Sequence, residues 1–239
     1  MSRKFKLHKR YYGEEYDLYK KGTITIEEGV TVLVGCNGSG KTTLLHQIRE
    51  QLKNENIPVL TFDNLQDGGK NAMSSAAFYG EFKFMATAMS SSEGENIVMN
   101  ISRLAAKLRH FIKTGEVNDK KAELAKAFAS LSNNDKNNKE EEAGLPNERW
   151  LLLDAVDSGL SVDNIVDIKE YLFKTILEDA GDTKVYIIVS ANEYEMARNE
   201  NCFDVYAGKY MKFGTYEKYR NFILKSKEIK NSRYTAEDD

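Results

Sequence analysis

The sequence GCNGSGKT at residues 35–42 decides the fold of this chain. The apolar segment VTVLV at 30–34 precedes it and predicts a buried strand. Apolar residues recur at helical spacing from Leu44 to Leu52, which predicts a helix that begins near Lys41. Glycines at a strand-to-helix turn let successive backbone N–H groups point at a phosphate, and the helix N-terminus adds a partial positive charge. The stretch therefore predicts a phosphate-binding loop.

The spacing Gly35-x-x-x-x-Gly40-Lys41-Thr42 is a Walker A motif, which assigns roles to individual side chains. Lys41 is expected to bridge the β- and γ-phosphates of ATP, and the Thr42 hydroxyl to ligate Mg²⁺. The sequence thus predicts ATP as the ligand and Mg²⁺ as its cofactor. The residues expected to contact the nucleotide are Cys36, Asn37, Gly38, Ser39, Gly40, Lys41, Thr42 and Thr43.

Length and composition limit the class of protein. The chain has 239 residues and a mass of 27.2 kDa, which suits a single domain over 1–239. No run of about 18 apolar residues is present, so no membrane insertion is predicted. The N-terminus lacks a signal-peptide pattern, and the only cysteines are Cys36 and Cys202, so a cytoplasmic location is expected. A net charge of -3 argues against a globally basic nucleic-acid binder.

Strand and helix patterns alternate along the chain. Short apolar runs predict buried strands, and stretches with helical periodicity follow several of them. This alternation indicates an α/β fold of the P-loop NTPase kind, with a mostly parallel central sheet and flanking helices. The predicted strands of this sheet lie at 30–34, 57–62, 149–154 and 184–190, and the clearest predicted helices at 96–112, 162–178 and 215–230.

Three other segments complete the predicted organisation. Alternating residues around Phe5 and at 23–26 predict an N-terminal antiparallel β portion. The segment 203–211 predicts a hairpin that turns at Gly208. The Asn- and Glu-rich segment 113–148 is predicted to be a surface insertion in the domain.

A carboxylate follows one of the predicted buried strands. The run Trp150-Leu151-Leu152-Leu153-Asp154 has the form of a Walker B element, an apolar strand that ends in an aspartate. Such an aspartate holds Mg²⁺ in P-loop NTPases. Asp154 is therefore predicted as a metal-site and catalytic residue, together with Thr42 in the metal site.

Several segments together resemble the ATP-binding-cassette (ABC) ATPases, in particular their SMC/RecF-like branch. The sequence at 23–45 is similar to their first βα unit, and LLLDAVDSGLS at 151–161 to their Walker B motif and D-loop. The segment SSEGE at 91–95 resembles their signature segment. The resemblance implies an ATP-sandwiched homodimer, in which each signature segment contacts the γ-phosphate held by the other copy. The residues expected to make that contact are Ser92, Gly94 and Glu95.

The resemblance implies two further contacts, each with an alternative. Gln66 is placed as the glutamine that senses Mg²⁺, although a surface turn residue would look the same. One tyrosine of the N-terminal region is expected to stack on adenine, although each singly could be an ordinary surface or core residue. Ser92 and Glu95 also form a capping box for the helix that follows. The tyrosines in question are Tyr11, Tyr12, Tyr16 and Tyr19.

The sequence departs from the ABC pattern at two catalytic positions. The residue after Asp154 is Ala155, where the family has a glutamate, and alanine cannot accept a proton from water. No histidine follows the strand at 184–190, where Asn192 is the candidate that orients water. Three accounts of Ala155 remain open: Asp157 or Glu193 supplies the carboxylate, turnover is slow or absent, or alanine was engineered in place of glutamate to trap ATP.

Three functions are compatible with these motifs. The first is an ATPase that dimerises on ATP and acts on DNA or a protein partner in a larger complex, with weak hydrolysis. The second is the nucleotide-binding subunit of a membrane transporter, against which stand the insertion and the missing histidine. The third is a non-hydrolysing scaffold that ATP controls. Basic residues in 3–10 and 225–233 slightly favour DNA, although a solvated helix end explains the second group.

Overall fold

The computed structural model describes residues 1–10, 16–63, 93–116 and 146–233, with side chains for all of these except 93–103. Within these ranges, the strands are β1 (Ser2–Lys6), β2 (Thr23–Glu27), β3 (Gly29–Val34), β4 (Val59–Asp63), β5 (Glu148–Asp154), β6 (Lys184–Ser190), β7 (Cys202–Asp204) and β8 (Lys209–Met211). The α-helices are α1 (Lys41–Asn54), α2 (Glu93–Thr114), α3 (Val162–Asp167), α4 (Lys174–Asp179), α5 (Tyr194–Ala197) and α6 (Tyr216–Asn231). A π-helical segment, Ile168–Phe173, joins α3 to α4.

The central sheet has six strands in the order β4-β5-β6-β3-β7-β8. Neighbouring strands are parallel from β4 to β7, and β8 pairs antiparallel with β7. Strands β1 and β2 form a separate antiparallel pair. The predicted α/β fold with a mostly parallel sheet and an N-terminal antiparallel portion is therefore confirmed. The predicted hairpin is also present, and Gly208 has a φ of 63° in its turn.

The parallel strands are buried on both faces because successive side chains point to opposite sides of a sheet. On one face, Leu151, Leu153 and Ile187 join a core with the helices α2 to α6. On the other face, Trp150 lies in a core that includes α1 and the β1–β2 pair. The indole of Trp150 stacks on Tyr186, with ring centroids 4.0 Å apart. The sheet is thus the middle layer of the domain, and the carboxyl ends of its parallel strands share one edge.

Three predicted elements differ from the structure in their bounds. β4 begins at Val59 instead of residue 57, because Pro58 has no N–H for the ladder, and it extends to Asp63. α2 begins at Glu93, so Gly94 and Glu95 lie in its first turn. The predicted helix 162–178 is interrupted by the π-helical segment. The predicted insertion at 113–148 lies mostly outside the described residues, although its ends already belong to α2 and β5.

Candidate functional site

The loop between β3 and α1 has the backbone that its glycines predict. Gly38 and Gly40 have φ values of 76° and 99°, in the left-handed region that favours glycine. Tyr19 packs directly against Gly40, because a Cβ there would lie 3.3 Å from its ring. The Tyr19 hydroxyl donates a hydrogen bond to the Gly40 carbonyl at 2.9 Å. The loop is therefore held in its curled form before α1 begins at Lys41.

Lys41 is the buried cation of this loop. The residue is 8% exposed, and its Nζ donates to the carbonyl oxygens of Gly35 at 2.9 Å and Cys36 at 3.4 Å. Among the residues that the structure describes, no carboxylate lies within ion-pair distance of this ammonium group. Burial lowers the pKa of Lys41, while the charges of Cys36, Asp154 and Asp157 oppose that shift. A desolvated cation without a close counter-charge is suited to an anionic ligand.

An open cleft of about 380 Å³ lies over the loop at the carboxyl edge of the sheet. Asp154, at the end of β5, and Ala155 also line this cleft. Two carboxylates border the cleft within the described residues, and Asp63 of β4 is the second. The residues that line this cleft are Tyr16, Leu18, Asn37, Gly38, Gly40, Lys41, Thr42, Thr43, Asp63, Asp154, Ala155, Ser190 and Asn192.

Ser190 connects the two sides of this edge. It ends β6, which lies between the loop strand β3 and the Asp154 strand β5. Its hydroxyl donates to Asp154 Oδ1 and accepts the Ala155 N–H at 2.7 Å. The backbone of Ala155 has a φ of 51°, an uncommon conformation for a residue other than glycine. Ser190 therefore fixes both the orientation of the Asp154 carboxylate and the strained turn that follows it.

Asp157 is buried below the cleft and does not line it. Its Oδ2 accepts the backbone N–H groups of Asn192 and Glu193, both at 2.8 Å. Its Oδ1 is buried without a hydrogen-bond partner in the described part of the chain. Burial raises the pKa of Asp157, and the two backbone hydrogen bonds oppose that shift. The geometry makes Asp157 a positioning residue for the loop after β6, whereas one of the three accounts of Ala155 had Asp157 or Glu193 as the catalytic carboxylate.

Asn192 does line the cleft, as its predicted role requires. Its side-chain Nδ2 donates to Ser158 Oγ at 2.9 Å, and its carbonyl accepts the Tyr219 hydroxyl at 3.2 Å. Glu193, the other carboxylate considered for catalysis, is exposed and does not line the cleft. The loop after β6 thus presents an amide to the cleft and keeps its carboxylates away from it.

Substitution of Asp157 tests its positioning role. Asp157→Ala is expected to lower the free energy of unfolding by about 2 kcal/mol or more, because two backbone N–H groups lose their acceptor. Asp157→Asn keeps an acceptor and is expected to cost less. Because burial raises the Asp157 pKa above its ordinary 3.8, wild-type stability relative to the Asn variant should be largest below pH 3.8 and fall as the pH rises through the folded-state pKa. Urea denaturation across this range measures both effects, and equal losses for both variants would contradict the assignment.

The C-terminal helix α6 packs against the outside of the phosphate-binding loop. The Cys36 N–H donates to Ser226 Oγ at 3.1 Å, and Lys230 Nζ donates to the Asn37 carbonyl at 3.2 Å. Cys36 and Ser39, both predicted to contact the nucleotide, are buried and do not line the cleft. Asn37, Gly38 and residues 40–43 line the cleft, and the contact of Cys36 and Ser39 with the nucleotide stays a prediction.

The other residues predicted to contact the nucleotide or Mg²⁺ differ in where the structure places them. Gln66, Ser92, Tyr11 and Tyr12 lie outside the described residues. Tyr19 is buried behind the loop, where burial raises its pKa and its hydroxyl binds Gly40, so it is not available to stack on a ligand. The tyrosine of the predicted set that lines the cleft in the described part of the chain is Tyr16.

Sequence reasoning missed Asp63 and Ser190. A weak signal for each was present, because both are the polar residues at which an apolar strand ends. This pattern alone did not select Asp63, because the family resemblance favoured Gln66, three residues later, for the same region of the site.

A family model described as an AAA domain matches residues 25–193, well over half of the chain. The chain belongs to this AAA domain family. It is therefore a P-loop ATP-binding domain. The membership of the narrower SMC/RecF-like branch stays a prediction.

No curated protein sequence matches this AAA domain. Among solved structures, the chain is similar to a nucleotide-free ATP-binding cassette from an ABC transporter. That match has 16% sequence identity and a TM-score of 0.42, and covers 94% of this chain and 96% of the other. In the described residues, no helix is long and apolar enough to cross a membrane.

The cleft of this AAA domain has donors suited to Mg²⁺. The Thr42 side chain and the Asp154 carboxylate line the same cleft and offer oxygen atoms. Mg²⁺ prefers oxygen ligands and is usually bound by one or two carboxylates together with substrate phosphates and water. In the described residues, no cluster of three or more His, Cys, Asp or Glu could hold a metal without such help. The donor set fits a metal ion that arrives with its nucleotide.

Proposed function

We propose that this chain binds Mg·ATP in the cleft, closes as an ATP-sandwiched homodimer, hydrolyses ATP weakly and acts on a DNA or protein partner. The observation that carries the proposal is the burial of Lys41 at the cleft, where its hydrogen-bond partners among the described residues are two carbonyl oxygens. A buried ammonium group is costly unless a negative charge compensates it. The phosphates of ATP supply that charge, and the curled loop at 37–43 supplies backbone N–H groups beside them.

Thr42 and Asp154 are the residues proposed to hold Mg²⁺. When bound, the ion draws negative charge from the phosphate oxygens and so favours attack on the γ-phosphate. The Ser190 hydroxyl donates to Asp154 Oδ1 and so fixes the orientation of the carboxylate that would hold the ion. Asn192 is proposed to orient water at the cleft wall.

Weak hydrolysis is proposed because Ala155 lines the cleft at a position where a carboxylate could accept a proton from the attacking water. A methyl group cannot accept a proton, and loss of a general base typically lowers a rate by about 10²–10⁴-fold. Asp157 and Glu193 do not line the cleft and so do not directly compensate for this loss. The same observation supports the second candidate, a scaffold that ATP binding alone controls.

The first turn of α2 is the feature that supports the proposed homodimer. Gly94 and Glu95 lie in the first turn of this helix, whose N–H groups are suited to a phosphate. The described side chains of α2, from Leu104 onward, include Leu108 and Phe111 in the core, and none lines the cleft of its own chain. In the proposed dimer, the first turn of α2 faces the nucleotide held by the second copy.

Charge pairing bears on the proposed partner. Arg3 forms ion pairs with Glu55 and Glu148. Arg233 donates to the Leu18 carbonyl at 3.3 Å, and its guanidinium lies 5.0 Å from the Tyr206 ring centroid. Several cations that had favoured DNA therefore have internal partners. The proposal accordingly favours a protein partner over DNA.

The segment 113–148 is proposed to be a surface insertion in a single domain. Its described ends lie together, since a Cβ on Gly115 would be 3.0 Å from the guanidinium of Arg149. Adjacent ends support a segment that leaves the domain and returns at the same place.

ATP-dependent dimerisation is the test of this proposal. Light scattering should give a mass near 27.2 kDa without nucleotide and twice that mass with Mg·ATP. Lys41→Ala should stay monomeric under both conditions. If the dimer persists without detectable phosphate release, the scaffold is the correct function. A mass that ATP does not change would contradict the sandwiched dimer.

A further inference from the structure

The cleft contains one carboxylate besides the proposed metal ligand. Within the described residues, Asp63 and Asp154 are the two acidic side chains that line it. The carboxylates of Asp157 and Glu193 do not line it. Among the described carboxylates that line the cleft, Asp63 of β4 is therefore the candidate proton acceptor.

The sheet places Asp63 beside the proposed metal ligand. β4 and β5 are parallel, and Asp63 pairs in register with Asp154 as the last residue of its strand. Adjacent strands lie about 4.8 Å apart, so the two carboxylates start from neighbouring positions at the same edge. Asp63 is partly exposed, as a residue that meets water in a cleft must be.

Ala155 and Asp63 lie on either side of Asp154, one along the chain and one across the sheet. The Ser190 hydroxyl binds the Asp154 carboxylate and the Ala155 N–H, which fixes this side of the cleft. The position after Asp154 presents only a methyl group. The position across from Asp154 presents a carboxylate to the same cleft.

We propose that Asp63 is the catalytic carboxylate of this ATPase and replaces the one that Ala155 lacks. The water oxygen forms a bond to the γ-phosphorus, and one water proton passes to the Asp63 carboxylate. The bond between the γ-phosphorus and the oxygen that bridges to the β-phosphate breaks, and ADP leaves with that electron pair. The proton then passes to solvent, so ATP and water become ADP, phosphate and one proton. This inference rests on the proposed function.

The first test is phosphate release by Asp63→Asn under saturating Mg·ATP. Asparagine keeps the size of the side chain and can still bind water, but it does not accept the proton. The rate should fall about a hundredfold, or to that of Lys41→Ala, while the Kd for ATP stays within about threefold of wild type. Asp182→Asn is the matched control, because Asp182 is exposed and does not line the cleft.

A second variant separates catalysis from metal binding and from misfolding. Adding Ala155→Glu to Asp63→Asn should restore turnover at least tenfold, since a carboxylate then enters the cleft from the neighbouring position. The Mg²⁺ concentration for half-maximal rate should stay unchanged. Two outcomes would overturn the assignment of Asp63 without affecting the proposal that the chain binds ATP. One is an Asp63→Asn rate equal to that of wild type, and the other is a wild-type rate equal to that of Lys41→Ala. A raised Mg²⁺ requirement would make Asp63 a metal ligand instead. No ATP binding by wild type would refute the proposed function itself.

Discussion

Replacement of Lys41 by alanine is expected to weaken ATP binding about a hundredfold or more. Lys41 is 8% exposed, and its ammonium group hydrogen-bonds only to two carbonyl oxygens in the described structure, so phosphate is its natural counter-charge. Removing one member of a buried, hydrogen-bonded charge pair costs about 2–5 kcal/mol, and 1.4 kcal/mol is a factor of ten in Kd. Titration with a fluorescent ATP analogue measures the change.

The control for Lys41→Ala is Lys53→Ala. Lys53 lies in the last turn of the same helix, is exposed and does not line the cleft. Its variant should bind the analogue as wild type does. The Lys41 variant should stay folded, because it loses a desolvated charge that has no ion-pair partner in the described residues. A Lys41→Ala affinity within a few-fold of wild type would mean that the nucleotide does not contact this residue.

Replacement of Ala155 by glutamate is expected to raise ATP turnover about tenfold, which is less than the full contribution of a general base because Asp63 already supplies a carboxylate. Ala155 lines the cleft directly after Asp154, so a longer side chain at this position enters the same space. Its φ of 51° is uncommon for alanine and for glutamate alike, so the substitution adds little backbone strain. Steady-state phosphate release measures the gain.

Ala155→Gln is the matched control, since glutamine has the same length as glutamate and no carboxylate. It should leave the rate at the wild-type level or below. Equal rates for the Glu and Gln variants would show that a carboxylate at position 155 does not contribute to hydrolysis.

The sequence predicted the parts of this site that are encoded locally. The phosphate-binding loop is one continuous segment, and its glycines, Lys41 and the start of α1 lie where the motif placed them. Strands β3, β5 and β6 were predictable because both of their faces are apolar. Asp154 followed from the same pattern, as the polar residue at which a buried strand ends.

The rest of the site depends on contacts between distant parts of the chain. Asp63 reaches the cleft through its register with Asp154, which the order of strands sets and the local sequence does not. Ser190 binds Asp154 because β6 inserts between β3 and β5. The contact of Ser226 with Cys36 joins residues 190 positions apart. Asp157 had the right residue type for catalysis, but burial turns its carboxylate toward the backbone of another loop.

Calorimetric titration of the full chain with ATP in the presence of Mg²⁺ tests the central claim most directly. We expect saturable binding of one ATP per chain. Binding should weaken when Mg²⁺ is removed and should be lost in Lys41→Ala. No binding heat in wild type at any nucleotide concentration, or the same heat in Lys41→Ala, would contradict the assignment of the cleft as an ATP site.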